Sequence, residues 1–204
     1  MYIPSVPQQP TRRQVPLQEY LRELPRRAAP TLSDIALDRP WLRGGGLLLV
    51  ALAVAGLGLG VTGLPFLGYG LRGGLLGLVA IPAVGAVAFV IVSLVYHGMA
   101  RVLEGEGGYL ELVSAMIFAS LPVVFLGPAA LLRLLPGAWG GLTFFVACVG
   151  LGVWVIRLVY LAVRESHRFT GTQAILTMMV PITMAFLIAF MGMFLTAMGI
   201  LIFG

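Results

Sequence analysis

From residue 44 onward the chain is a succession of apolar runs with hardly a charge in them: Gly44 to Gly63, Leu75 to Met99, Leu112 to Leu132, Leu142 to Val163 and Ala174 to Phe203. Each is long enough to cross the roughly 30 Å hydrocarbon core of a bilayer, which takes about 20 helical residues. Lipid offers no partner to backbone N–H and C=O groups, so such a run must pair them within itself, and a helix does so. The expected fold class is all-α: a multi-pass membrane helical bundle with five transmembrane helices over 44–204, preceded by a polar tail over 1–43. A balance of 59% hydrophobic against 10% charged residues lies far from that of a soluble domain. It makes the lipid bilayer the first partner.

The tail is rich in proline and arginine. Pro4, Pro7, Pro10 and Pro16 forbid a continuous helix at its start. No signal peptide is expected, because the first apolar run begins far too late for one. Val15, Leu17, Tyr20, Leu21 and Leu24 then recur at helical spacing opposite Glu19, Arg22 and Glu23, until Pro25 stops the pattern. Such a helix suits a membrane surface, a docking partner or plain solvation, and the residues leave these three open. A second short helix is expected from a cap at Thr31 or Ser33 to Asp38-Arg39-Pro40. Trp41, flanked by Arg39 and Arg43, reads as an interfacial anchor.

All 13 basic residues are arginines, and seven of them precede the first span. The net charge of +5 therefore reflects topology and gives no reason to expect nucleic acid as a partner. With five spans, the tail shares one side of the membrane with Arg101, Arg164 and Arg168, while Arg72 and Arg133 fall on the other. The positive-inside rule puts the N-terminus in the cytoplasm and the C-terminus outside.

Within the spans, small residues and prolines carry the local information. Gly58-x-Gly60-x-x-Gly63 matches the letters of a dinucleotide fingerprint, but it lies inside an apolar run with no strand before it. Gly56-xxx-Gly60 is instead expected to let two helices approach closely, as are Gly73 and Gly77 in the second span. Pro82, Pro122, Pro128 and Pro181 are expected helix kinks. Span three, with Pro122 near its middle and Pro128 following, should be the least regular, and Ser114 and Ser120 are available to pair the carbonyls it frees.

The polar residues fall together on the cytoplasmic side. His97, Arg101 and Glu104 end span two and enter a Gly-rich loop; Arg157, Arg164, Glu165 and His167 close span four. They are expected to form an interfacial network joining the two loops. Metal binding is the sharper alternative, but HExxH and CxxC spacings are absent and Cys148 stands alone. Arg157 lies within a span and is expected either to snorkel to the headgroups or to face a cavity. Six of the nine methionines crowd span five, where packing is the plain reading and an adaptable binding face the other. No Ser nucleophile elbow or P-loop appears. No catalytic residue, metal or cofactor is expected.

Tyr96-His97, Gly105-x-Gly107-Gly108, Ser120-Leu121-Pro122 and Gly127-Pro128 follow one another in an order that resembles a bacterial member of the Yip-one domain family, the Ypt/Rab-interacting membrane proteins and their prokaryotic relatives. Trp154, then Arg164-Glu165-Ser166-His167-Arg168 leading into Gln173-Ala174, is similar to that family's closing segment. The resemblance covers roughly residues 41 to 204. It implies a five-helix membrane domain with a cytoplasmic tail, here in a bacterial inner membrane. For the eukaryotic relatives it implies binding of Rab-type GTPases; where those carry an Asp-Leu-Tyr-Gly-Pro type segment before the first span, this chain reads Asp38-Arg39-Pro40-Trp41.

The expected role is a non-enzymatic scaffold or adaptor that binds a membrane or cytoplasmic protein, with self-association open through the Gly-rich faces. The alternative is a small transporter or permease accessory subunit, with a cavity bordered by the proline-containing spans. A metal-dependent hydrolase would need His97, Glu165 and His167 to converge.

Overall fold

A computed structural model describes residues 16–63 and 69–183, and every regular element among them is helical. Helix α1 (Leu17–Glu23) follows Pro16, whose missing N–H costs nothing at a helix start. Helix α2 (Ala28–Asp38) begins earlier than the expected cap at Thr31 or Ser33. Pro30 is tolerated in the first turn, where no amide needs an intrahelical acceptor. The Thr31 hydroxyl donates back to the Arg27 carbonyl at 2.7 Å instead of capping forward. Arg39, in a left-handed conformation (φ 51°), ends α2, and Pro40 opens the next helix.

Four stretches among the described residues are long and apolar enough to cross a membrane. The first is α3 (Trp41–Val61) and the second α4 (Gly70–Val102), which stays helical through Pro82. The third runs from Tyr109 to Leu134 in pieces: α5 (Tyr109–Ser120), a 3-10 turn (Leu121–Phe125), α6 (Leu126–Ala130) and a second 3-10 turn (Leu131–Leu134). The expected irregularity is therefore present. Pro122 and Pro128 each lack a donor, and the chain tightens locally where the regular ladder fails. The Ser114 hydroxyl, expected to partner a freed carbonyl, is buried without a hydrogen bond among the described residues. The fourth is α7 (Ala138–His167), entered through Gly137 at φ 64°, a conformation glycine adopts at little cost. A further helix, α8, occupies 171–183 and contains Pro181 without interruption. The fifth expected span begins inside α8; the rest of it, with most of its methionines, lies outside the described residues.

Helices α3 and α4 are drawn together by glycines. A Cβ on Gly56 or Gly60 would overlap the carbonyl groups of Gly77 or Gly73, so backbone meets backbone. The other side of α3 receives α6 in the same way, Gly58 against Gly127. At the far end, Arg133 donates to the Gly63 carbonyl at 3.0 Å and lies over the Phe144 ring. Most of α4 and α7 present Leu, Val, Ile and Trp outward, as lipid-facing surfaces do.

The interior sits toward the opposite end. Phe118, Leu32, Ile35 and Leu112 are fully buried where α2 packs across α5 and α7. Tyr20 meets Phe118 edge-on at 5.9 Å between ring centroids, and its hydroxyl donates to the Asp38 carboxylate. Of the three surfaces left open for this apolar stripe, none receives Tyr20 and Leu24. Both are buried within the chain's own body.

Candidate functional site

The polar end is assembled from the last turns of α4 and α7, the loop between α4 and α5, and α2. Glycine spacing shapes the loop. Gly105 lies against His167, Phe169 and the Ala100 carbonyl, while Gly107 lies beneath the Ser166 carbonyl. Neither position has room for a Cβ. Gly105 N–H donates to the Ala100 carbonyl at 2.8 Å, and Arg101 to the Gly105 carbonyl at 3.4 Å. Gly108 then starts α5, its N–H donating to the Glu111 carboxylate at 3.3 Å. That is half of a capping box, satisfying an amide the helix leaves unpaired.

Above the loop two imidazoles meet. His97 Nδ1 and His167 Nε2 are 3.3 Å apart, and the other nitrogen of His167 lies 3.0 Å from the Ser166 hydroxyl. Ser166 Oγ also reaches the Val163 carbonyl at 3.3 Å. One arrangement of protons satisfies all three contacts: Ser166 donates to Val163, His167 Nδ1–H donates to Ser166, and His97 Nδ1–H donates to His167 Nε2. His167 stacks on Phe169, and the Tyr109 ring stands edge-on to His97, with the Tyr109 hydroxyl 3.1 Å from Ser93 Oγ. Side chains from α4, α5 and α7 are thus held in one continuous polar seam.

Charged groups ring this seam. Arg39 pairs with Glu111, tying the end of α2 to the start of α5, and Arg168 reaches Glu106 across the loop at 3.2 Å. Arg164 and Glu165 stand 3.9 Å apart. Between α2, α5 and the end of α7 lies a cleft of about 270 Å³.

The family model of the Yip1 domain matches residues 24–199. The chain belongs to the Yip1 domain family. No curated protein and no solved structure matches it. The match takes in α2 as well as the spans, so this Yip1 domain includes the helix that lies across α5 and α7. It is a multi-pass membrane protein, all-helical throughout the described residues.

Within the Yip1 domain the residues singled out from sequence divide. His97 and His167 come into contact, Arg101 supports the loop beneath them, and Arg164 and Glu165 line the cleft. Glu104 is exposed at a positive φ and joins no ion pair among the described residues. Arg157 is exposed on α7, about 15 Å along the helix from His167. An expected common side of the membrane does not bring these two into the network. Among the described residues no three His, Cys, Asp or Glu side chains group as metal ligands. Sequence reasoning did not single out Arg39, Ser93, Glu106, Tyr109, Glu111, Ser166 and Arg168 as members of the site. Only Glu111 carried a local signal, three residues after the helix-starting Gly108.

Proposed function

We propose that this Yip1-domain protein is a non-enzymatic scaffold or adaptor that binds another membrane or cytoplasmic protein at the cytoplasmic face of a bacterial inner membrane. The observation that carries this reading is the one-ended distribution of polar groups. An apolar bundle bears at one end a surface braced by the Arg39–Glu111 and Arg168–Glu106 pairs, with Glu104 exposed beside them and α2 fastened across it. Arginine bias supports a cytoplasmic assignment for that end, with five spans and the C-terminus outside. The segment before the first span departs from that of the Rab-binding relatives, so the partner is taken to be a different protein, and a second copy of the chain remains within the reading.

Transport is the less supported alternative, because Arg157 is exposed on α7 rather than enclosed. The test is crosslinking in native membranes, comparing wild type with Glu104→Arg and Glu106→Arg. Loss of a specific crosslinked protein in these exposed variants is expected. An unchanged set of crosslinks would overturn the assignment of this surface.

A further inference from the structure

The cleft between α2, α5 and the end of α7 goes beyond partner binding. At about 270 Å³ it is far too small for a helix, but it admits a small polar group. Its lining is mixed in charge: Arg164 and Arg168 supply guanidinium groups, Glu111 and Glu165 carboxylates, and Ser33 a hydroxyl. Two of the charges are already engaged, Glu111 with Arg39 and Arg168 with Glu106. Arg164 and Glu165 are not so well matched. Their separation of 3.9 Å exceeds hydrogen-bond length, and both line the cleft.

A purely anionic ligand would meet the Glu165 carboxylate and a purely cationic one the Arg164 guanidinium. A group bearing both charges satisfies both. Depth narrows the choice. The 30 residues of α7 rise about 45 Å against a hydrocarbon core of about 30 Å, so its last turns project into the headgroup layer. Trp41 and Leu42, the first residues of α3, are exposed close in sequence to the Leu37 wall of the cleft.

We propose that this cleft binds a phosphoethanolamine group, with the phosphate on Arg164 and the primary ammonium on Glu165, supplied either by phosphatidylethanolamine or by the free headgroup. A primary ammonium has three N–H donors for a carboxylate. The trimethylammonium of choline has none and depends on aromatic faces. The one aromatic ring of the lining, Phe169, is already stacked on His167.

The test uses full-length protein in detergent, with lipid retention read by native mass spectrometry. Phosphatidylethanolamine should be retained about tenfold over phosphatidylcholine and phosphatidylglycerol. Glu165→Gln should abolish the preference over phosphatidylcholine, Arg164→Gln should lower retention of all three lipids, and Arg157→Gln, outside the cleft, should leave the ratios unchanged. Because each ratio is read within one sample, partial loss of folded protein does not obscure it. Competition by free phosphoethanolamine at concentrations equal to the lipid assigns the soluble source, and failure to compete assigns the membrane lipid. Equal retention of the three lipids by wild type, or a preference that survives both cleft substitutions, would overturn the proposal.

Discussion

Gly107 and Gly108 are neighbours in sequence and opposites in space. A Cβ on Gly107 would run into the Ser166 carbonyl, whereas one on Gly108 would meet only the Glu111 carboxylate at ordinary contact distance. Gly107→Ala should therefore cost about 1–3 kcal/mol, the usual penalty for overpacking, and Gly108→Ala far less. Thermal unfolding of the two variants in the same detergent checks this, and equal melting temperatures would contradict the packing described for the loop. Tyr20 offers a test by pH. Burial first, then the hydrogen bond to Asp38, pushes its phenol well above its ordinary value near 10. A proton held more tightly in the folded than in the unfolded chain stabilises the fold fully below that ordinary value. The contribution is lost as pH rises through the folded value. The difference between wild-type and Tyr20→Phe ultraviolet titrations should thus show no phenolate from Tyr20 at pH 10.

Among the elements, α2 depends most on contacts distant in the chain. Leu32 and Ile35 are completely buried against α5 and α7. Truncating either to alanine should cost about 2–5 kcal/mol and loosen α2 from the bundle. Faster amide exchange across 28–38, with α7 unaffected, is the expected signature; unchanged exchange would count against the docking. The apolar runs made four spans legible, because lipid admits few alternatives, and the two prolines marked where span three breaks. Gly56 and Gly60 announced a close helix crossing. The docking of α2 was not legible, because its stripe of Leu32, Ile35 and Ala36 would suit lipid, a partner or its own body equally. The Arg39–Glu111 pair was hidden too, since it joins residues 72 positions apart with no periodicity to link them. The expected topology grouped His97 with His167, which do meet, and also with Glu104 and Arg157, for which the structure shows no contact with that pair. Topology gives the side of a membrane and says nothing about which way a helix is rotated.

For the whole molecule, the glycine crossing has consequences beyond stability. Replacing Gly56 or Gly77 with leucine should separate α3 from α4 and lower the yield of folded protein sharply, whereas Gly150→Leu, where nothing lies within 4 Å, should not. Size-exclusion profiles of the purified variants decide between these outcomes. The crossing also orders biogenesis. Helices α3 and α4, made before the other described spans, carry between them the glycines of their mutual contact. They can close into a hairpin at the translocon before the later spans have left the ribosome. The third span, already broken at Pro122, has its docking surface waiting in Gly58, which accepts Gly127 with no side chain to clear away. A nascent chain arrested once Val102 has cleared the ribosome would thus hold a finished pair, and the remainder would assemble onto a template rather than search for one.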